Sequence, residues 1–392
     1  MPDLILLGLL MAAIAIGFWL GRRDRRPDEH APAPATLSRD YFVGLNHLLN
    51  EQPDRAIETF VQALEVNSDT VDTHIALGNL YRSRGEVDRA VKIHQNLLAR
   101  PALDSEQGER VQLELARDFM RSGVYDRAEK LLETLLKQAQ HDSHRRAGRR
   151  LLIDLLERER EWEAALEVAH AILRQEGGIR RAAAHWHCEL AALDIAEGSQ
   201  AMARKRLKQA LSTDEKCVRA NWMLAEIEFD HANYKQCIRL LQRIPRQDTG
   251  FTPIILEPLG NAFRMLDDES GLVRLLHQEV ERAPYTTTVI SLAQLIERRE
   301  GVEAAASFAS EQLHRHPSLR GVDYLLDLYL LDADERETER FNLLKRHTQQ
   351  LIQARPRHRC HRCGFEASML LWQCPKCRHW GTVKPITGLE GE

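Results

Sequence analysis

A spacing of 34 residues recurs along the middle of this chain and constrains its fold more than any other feature. Three positions recur 34 residues later: Gly44 as Gly78, Ala56 as Ala90, and Phe60 as His94. Small residues at fixed positions let two helices approach closely where they cross. The recurrence therefore predicts repeated helix–turn–helix units stacked on one another.

The best copy of the unit reads VDTHIALGNLYRSRGEVDRAVKIHQNLLARP. Gly78 fills the small position of its first helix, Gly85 occupies the turn, and Ala90 fills the small position of its second helix. A period of 34 residues is that of the tetratricopeptide repeat. We predict an all-α superhelical solenoid over residues 37–354, with about nine units of which the last is atypical.

The concave face of such a solenoid is lined by first helices and typically binds extended peptides or partner proteins. Counted along the first helices, the residues predicted to project toward this face are Asn79, Arg82, Arg117 and Arg121. Guanidinium groups bind carboxylates through paired hydrogen bonds. These four residues are therefore candidate contacts to a partner.

Composition excludes several classes of function. Of the 392 residues, 43% are hydrophobic and 29% are charged, which are values of a globular chain. The 54 basic and 58 acidic residues give a net charge of -4, so the whole chain has no excess positive charge to neutralise nucleic-acid phosphates. The sequence contains no phosphate-binding Walker loop, dinucleotide glycine fingerprint, nucleophile elbow or HExxH motif. We therefore predict a protein that is not an enzyme and does not bind nucleic acid.

The N-terminus reads as a membrane anchor. Residues 4–20 carry no charge and would span about 25 Å as a helix. Four arginines follow directly, whereas the three residues before the apolar run include Asp3 and no basic residue. This order is the reverse of a cleaved signal peptide, and it places the rest of the chain in the cytoplasm. We predict a single-pass transmembrane helix at residues 1–21 that contacts membrane lipid, followed by a basic and Pro/Ala-rich linker at 22–36.

The C-terminal residues 355–392 contain a predicted metal-binding module. Two C-x-x-C pairs supply its ligands, Cys360, Cys363, Cys374 and Cys377. Four thiolates make a closed tetrahedral site, which is typical of structural zinc and leaves no open coordination position. We predict one metal ion, with zinc favoured and iron as the alternative. Cys188, near His185 and His187, is predicted to pack in the core, because residues two apart on a helix face different directions.

The module has more apolar side chains than so small a ribbon can bury, which predicts docking on the last helices of the solenoid. They are Phe365, Leu370, Leu371, Trp372, Trp380, Val383 and Ile386. Residues 355–384 also contain seven Lys or Arg and one acidic residue, Glu366. This basic segment leaves open a second reading, a ribbon that binds nucleic acid, or an interaction with acidic protein or lipid headgroups.

Motifs along the whole chain resemble those of one family. They are the apolar N-terminal run, LSRDYFVGLNHLL, LGNLYRSRGEVDRAVKIHQ, CHRCGF, LLWQCPKC and KPITGLEG. They are similar to motifs of lipopolysaccharide assembly protein B of Gram-negative bacteria, a membrane-anchored tetratricopeptide protein with a rubredoxin-like C-terminal module. By this similarity, the four C-terminal cysteines are the metal ligands.

The resemblance implies a non-enzymatic scaffold in the inner membrane, with its N-terminus in the periplasm and most of the chain facing the cytoplasm. Such a scaffold regulates lipopolysaccharide biosynthesis by presenting the UDP-acyl-GlcNAc deacetylase of lipid A synthesis to a membrane-bound AAA+ protease for degradation. It also implies contact with an inner-membrane regulator that senses lipopolysaccharide. Rubredoxin has a longer insert between its cysteine pairs and a glycine where this chain has Arg378. Iron-dependent redox or electron-transfer activity is therefore an alternative and not the leading prediction.

Overall fold

The computed structural model describes residues 39–391 apart from 51, 67–70 and 102. The predicted membrane helix at 1–21 and linker at 22–36 lie outside the described residues. Within the described ranges, no helix combines the length and apolarity needed to cross a bilayer. The described chain divides into two compact units, one ending at Arg145 and the other beginning at Arg146.

Helices that pack in consecutive pairs make up the first unit. They are α1 (Arg39–Leu49), α2 (Pro53–Val66), α3 (Val71–Ser83), α4 (Val87–Leu98), α5 (Ser105–Arg121), α6 (Tyr125–Gln138) and the start of α7 (Asp142–Glu159). The pairs α1–α2, α3–α4 and α5–α6 form the most extensive contacts of this unit. These pairs are the helix–turn–helix units that the 34-residue recurrence predicts.

Side-chain rings on the second helices explain why the recurring positions on the first helices are occupied by small residues. A methyl group added to Gly44 would overlap the ring of Phe60, and one added to Gly78 would overlap the ring of His94. Ala90, on the same helix as His94, is fully buried. The glycines therefore let the second helix of each pair place a ring directly against the first helix.

The turn within a unit needs a left-handed residue, which favours glycine. Gly85 has φ 86° and Gly123 has φ 76° at this position. In the second unit, the helix pairs that lack this glycine have Arg160, Ala232 or Asp267 at the turn, with φ between 53° and 61°. Each of these residues costs about 1 kcal/mol relative to glycine, which explains why the glycine is the most regular feature of the clearest copies.

Helices also form most of the second unit. After α7 they are α8 (Trp162–Ala169), α9 (Gly177–Ala196), α10 (Gln200–Thr213), α11 (Val218–Asp230), α12 (Tyr234–Leu241), α13 (Ile244–Gln247), a 3₁₀ turn (Thr249–Phe251), α14 (Thr252–Met265), α15 (Glu269–Arg282), α16 (Thr286–Glu300), α17 (Val302–Arg315), α18 (Leu319–Leu331) and α19 (Glu335–Gln353). Cys188 is buried in its apolar core, which confirms its prediction as a packing residue, and Cys237 is buried in the same core.

A small antiparallel sheet follows the last helix. Its strands are β1 (His358–Cys360), β2 (Glu366–Ala367) and β3 (Val383–Pro385), in the order β2–β1–β3. Arg359 of β1 pairs with Glu366 on one side and with Lys384 on the other. We refer to residues 355–391 as the ribbon. The described chain is thus a set of tetratricopeptide-type helix pairs followed by a small C-terminal ribbon.

Candidate metal centre

Two tight turns position the four cysteines of the ribbon. Cys360 ends β1 and Cys363 follows in the first turn, whereas Cys374 and Cys377 lie in the second turn. In the first turn, the N–H of the residue after the second cysteine donates to the carbonyl of the first cysteine at 3.0 Å. The second turn closes in the same way at 2.7 Å. Each turn directs two sulfur atoms toward one point.

The sulfur atoms have the spacing of a tetrahedral metal site. Sγ of Cys360 lies 3.7 Å from Sγ of Cys377, and Sγ of Cys363 lies 3.6 Å from Sγ of Cys374. All four sulfur atoms lie within 4.8 Å of one another. Zinc–sulfur bonds of about 2.3 Å in a tetrahedron require sulfur–sulfur distances of about 3.8 Å. All four cysteines are free thiols in the structure, so the donor set fits one tetrahedral ion.

The surroundings of the sulfur atoms affect their ionisation. Burial acts to raise the pKa of Cys360, but its hydrogen bond with the Thr382 hydroxyl and the hydrogen bonds from the backbone N–H groups of Cys363 and Arg362 outweigh it and lower that pKa to about 6. Burial raises the pKa of Cys377 to about 12. A metal ion bound between the four sulfur atoms would supply positive charge that favours the thiolate form.

The residue after each cysteine pair has a left-handed backbone. Gly364 has φ 72°, and Arg378 has φ 59°. A left-handed arginine costs about 1 kcal/mol that glycine would not. The guanidinium of Arg378 lies 3.5 Å from the carboxylate of Asp154 and 4.0 Å from that of Glu157, both on α7. Arg378, which stands where rubredoxin has a glycine, thus places a cation where the ribbon meets the helices.

Trp380 attaches the ribbon to α7, α8 and α9. Its indole Nε1 donates to Glu157 Oε1 at 2.8 Å, and the side-chain amide of Gln373 donates to the same oxygen. Its ring stacks on His185, with centroids 5.1 Å apart, and meets the edge of Trp162 at 6.1 Å. Trp380 is 5% exposed, so this contact is part of the core.

A second contact involves Trp372 and the 3₁₀ turn. The ring of Trp372 stacks on Phe251 with centroids 5.7 Å apart, and the guanidinium of Arg219 lies 6.0 Å from its centroid. Nearby, Lys384 Nζ donates to Asp248 Oδ2 at 2.5 Å. Together with Trp380, these residues hold the ribbon along one face of the second unit.

The prediction that the ribbon docks on the helices is confirmed, but only the C-terminal end of the ribbon lies on the last helices. Trp372 and Trp380 contact α7–α9, α11 and the 3₁₀ turn instead of the last helices. Residues 389–391 contact the start of α18, where the N–H of Leu319 donates to the carbonyl of Leu389 at 3.0 Å. The helical periodicity around His185 contains no signal for the tryptophan that stacks on it.

The structure also places the four residues predicted to contact a partner. They are Asn79, Arg82 and Arg117, which are partly buried, and Arg121, which is exposed. Arg82 donates to Asn79 Oδ1 at 2.7 Å, to Glu114 Oε2 at 2.6 Å and to Asp118 Oδ1 at 2.8 Å. Arg117 pairs with Glu114. Arg82 thus connects one first helix to the next, and partner binding by the four residues stays a prediction.

A second cluster of ligand-type side chains lies in the first unit, around Glu109 of α5. Glu109 is 6% exposed, and its Oε2 lies 3.1 Å from Nδ1 of His141 and 3.0 Å from Nδ1 of His144. Its Oε1 accepts from the N–H of Gln140 at 2.6 Å. Hydrogen bonding accounts for this arrangement. The cluster was not predicted from the sequence. Its members lie 31 to 35 residues from Glu109, which is close to one repeat period.

Glu109→Gln is expected to destabilise the first unit by about 2 kcal/mol at neutral pH, because a buried amide group would face hydrogen-bond donors. Burial acts to raise the pKa of Glu109, but the hydrogen bonds from Gln140, His144 and His141 outweigh it and lower the pKa from 4.5 to about 2. A lowered pKa stabilises the folded state above the unfolded-state value, and this contribution is lost as the pH falls from 4.5 through 2.

Urea unfolding of the full chain, followed by circular dichroism at about pH 7 and about pH 3.5, tests this expectation. The penalty of Glu109→Gln should shrink at the lower pH. The exposed Glu106 on the same helix provides the control, and Glu106→Gln should cost less than about 0.5 kcal/mol. An equal penalty for Glu109→Gln at both pH values would contradict a stabilising carboxylate.

Comparison with family models agrees with this organisation. A model described as the rubredoxin metal binding domain matches residues 358–385, and two tetratricopeptide repeat models match residues 73–108 and 113–185. Among solved structures, a putative kinesin light chain from Podosopora anserina with tetratricopeptide-like repeats covers 48% of this chain and 98% of its own, with 23% identity and a TM-score of 0.35.

Curated relatives match nearly the whole chain. Lipopolysaccharide assembly protein B of Escherichia coli K12 is 35% identical over 385 residues, which cover 98% of this chain and 98% of the relative. Lipopolysaccharide assembly protein B of Haemophilus influenzae Rd is 32% identical over 394 residues, which cover 97% of this chain and 98% of the relative. The chain therefore belongs to the lipopolysaccharide assembly protein B family.

Proposed function

We propose that this protein is a non-enzymatic scaffold that regulates lipopolysaccharide synthesis. The observation that carries this proposal is the match to relatives named for lipopolysaccharide assembly over 98% of the chain, repeats and ribbon included. Tetratricopeptide pairs are protein-binding elements, and the closed four-sulfur site of the ribbon has no open position for a substrate. Binding other proteins is therefore the activity that the described residues support best.

In the finer form of the proposal, the scaffold brings the UDP-acyl-GlcNAc deacetylase of lipid A synthesis to a membrane-bound AAA+ protease. The scaffold also contacts an inner-membrane regulator that senses lipopolysaccharide. The apolar residues 4–20 support an anchor in the inner membrane, with the repeats in the cytoplasm. Tethering two proteins to one scaffold raises their effective concentration, so no catalysis by the scaffold is needed.

The ribbon, in this proposal, holds one metal ion through Cys360, Cys363, Cys374 and Cys377. Zinc is favoured, because four thiolates at tetrahedral spacing satisfy it completely and it undergoes no redox change. When bound, the ion supplies positive charge that joins the two cysteine turns. The chain's own contribution is the docking of the joined turns through Trp372 and Trp380.

Crosslinking in cells with the full chain, followed by capture and identification of the attached proteins, tests the proposed partners. We expect the deacetylase and the protease in the captured material. Arg117→Ala with Arg121→Ala should reduce capture of at least one of them. The matched control is Lys92→Ala with Lys130→Ala, which removes two exposed charges from the second helices α4 and α6. Absence of both enzymes from the wild-type capture would contradict the adaptor role.

A further inference from the structure

A cavity of about 340 Å³ lies in the second unit, where the ribbon meets the helices. Its lining combines cations and aromatic rings, principally Arg181, Lys216, Arg362, Lys384, Phe251 and Trp372. These residues come from α9, the segment before α11, the first cysteine turn, β3, the 3₁₀ turn and the second half of the ribbon. The cavity therefore exists only because the ribbon is docked, and we call it the seam cavity.

The seam cavity has more cations than carboxylates. Lys384 is neutralised by Asp248, which is the carboxylate that lines the cavity. Arg181, Lys216 and Arg362 are exposed, and among the described residues none of the three has a carboxylate within ion-pair distance. Three unpaired positive charges around one concavity repel one another, and an anion bound between them would remove this repulsion.

A buried histidine also forms part of the cavity wall. His185 lines the cavity, is 3% exposed, and its Nδ1 has no hydrogen-bond partner among the described residues. Burial, followed by the charges of Arg219 and Arg181, lowers its pKa to about 3. His185 is therefore neutral at physiological pH and adds no charge to the wall of the cavity.

The size and charge of the cavity select the class of ligand. Sites for small molecules typically have volumes of about 300–1,000 Å³, so a cavity near the lower limit suits a small group and is too small for a helix or a folded partner. A phosphate monoester carries a charge of about -1.5 to -2 at neutral pH, and a diphosphate carries more. Either group would neutralise most of the positive charge of the three unpaired cations, whereas a single carboxylate would not.

We propose that the seam cavity binds a phosphate monoester or diphosphate group, held by Arg181, Lys216 and Arg362. The group belongs either to a soluble molecule or to the headgroup of an anionic lipid. Because ribbon and helices both contribute to the cavity, an occupant stabilises the docked ribbon. This site goes beyond the adaptor role and does not depend on it.

Calorimetric titration of the full chain in a neutral detergent with inorganic pyrophosphate, and in parallel with lipid nanodiscs containing phosphatidic acid or only phosphatidylcholine, tests the site. The test variant combines Arg181→Ala with Lys216→Ala, both exposed. The control combines Lys205→Ala with Lys208→Ala, two exposed lysines of α10. Equal metal content and circular dichroism of the three proteins will establish that their folds are the same.

We expect the test variant to bind at least about tenfold more weakly than the wild type, because two charge-assisted contacts are lost. The control should bind like the wild type. Binding of pyrophosphate supports a soluble ligand, and a preference for phosphatidic acid without pyrophosphate binding supports a lipid headgroup. Equal affinity of test variant and wild type, or no binding of either probe by the wild type, would overturn the proposal.

Discussion

Replacing Cys360 and Cys363 with serine is expected to abolish metal binding and to destabilise the helices on which the ribbon docks. Structural zinc sites contribute about 10–16 kcal/mol to the folding of small modules. With two ligands lost, the cysteine turns no longer share an ion, and Trp372 and Trp380 lose their fixed positions against Phe251 and His185. Burial of two large aromatic side chains contributes about 3 kcal/mol or more, so the second unit should lose at least this much stability.

Elemental analysis and tryptophan fluorescence during thermal unfolding measure the two effects separately. We expect one zinc per wild-type chain, no visible absorption and no zinc in the double serine variant. Five of the six tryptophans lie in residues 146–392, so fluorescence reports on the second unit. Cys237→Ala is the matched control, because it changes a buried cysteine outside the metal centre and should keep the zinc.

An unchanged fluorescence midpoint in a variant that has lost its metal would contradict metal-dependent docking. A coloured protein with iron and a reversible redox change would instead favour the electron-transfer alternative.

Trp380→Ala is expected to lower the free energy of unfolding of the second unit by about 3–5 kcal/mol, as large-to-small changes of buried tryptophan typically do. The substitution removes a ring packed between His185 and Trp162, and it leaves the partly buried carboxylate of Glu157 without its indole donor. Burial already raises the pKa of Glu157, so the loss of this donor adds to an existing desolvation cost. The cysteines are unchanged, and the metal content should stay at one ion per chain.

Denaturant unfolding with elemental analysis checks this expectation. Trp222→Ala provides the control, because Trp222 lies on α11, is partly exposed and donates to Glu226. We expect a cost of about 1–2 kcal/mol for the control, since less apolar area is buried there. If Trp380→Ala cost no more than the control while the ribbon kept its metal, the ribbon would not be docked through Trp380.

The helix pairs could be predicted from the sequence because their signals are local and repeated. Gly78, Gly85 and Ala90 each stand at a position where only a small or left-handed residue fits, and the structure confirms those roles. The sequence did not explain why the first helix needs glycine, since the answer is the ring of His94 on the second helix. Helix pairs without the turn glycine carry a weaker sequence signal, because residues such as Arg160 accept the left-handed turn at some cost.

The convergence of the four cysteines also followed from local spacing, whereas the place where the ribbon docks did not. Trp380 and Glu157 are separated by 223 residues, and no pattern in either segment indicates the other. An excess of apolar side chains predicted docking in general terms. The location depends on a partly buried acceptor, Glu157, and on the flat ring of His185, and both look like ordinary residues of a helix.

Contacts between neighbouring repeats are harder to predict from the sequence than the helix pairs, and easier to predict than the place where the ribbon docks. Arg82 pairs with Glu114 and Asp118, which are 32 and 36 residues later, close to one repeat period. Aligning each unit with the next would therefore have identified this network, and likewise the cluster at Glu109. Arg82 is predicted from its own helix to contact a partner, but its guanidinium already binds two carboxylates of the next repeat.

The half-life of the UDP-acyl-GlcNAc deacetylase in cells depleted of this protein tests the adaptor role most directly. We expect depletion to lengthen the half-life several-fold, and the full chain to restore it. A chain that begins at residue 22, and so lacks the apolar segment, should restore it poorly because it is not held beside the protease. An unchanged deacetylase half-life after depletion would contradict the proposed function.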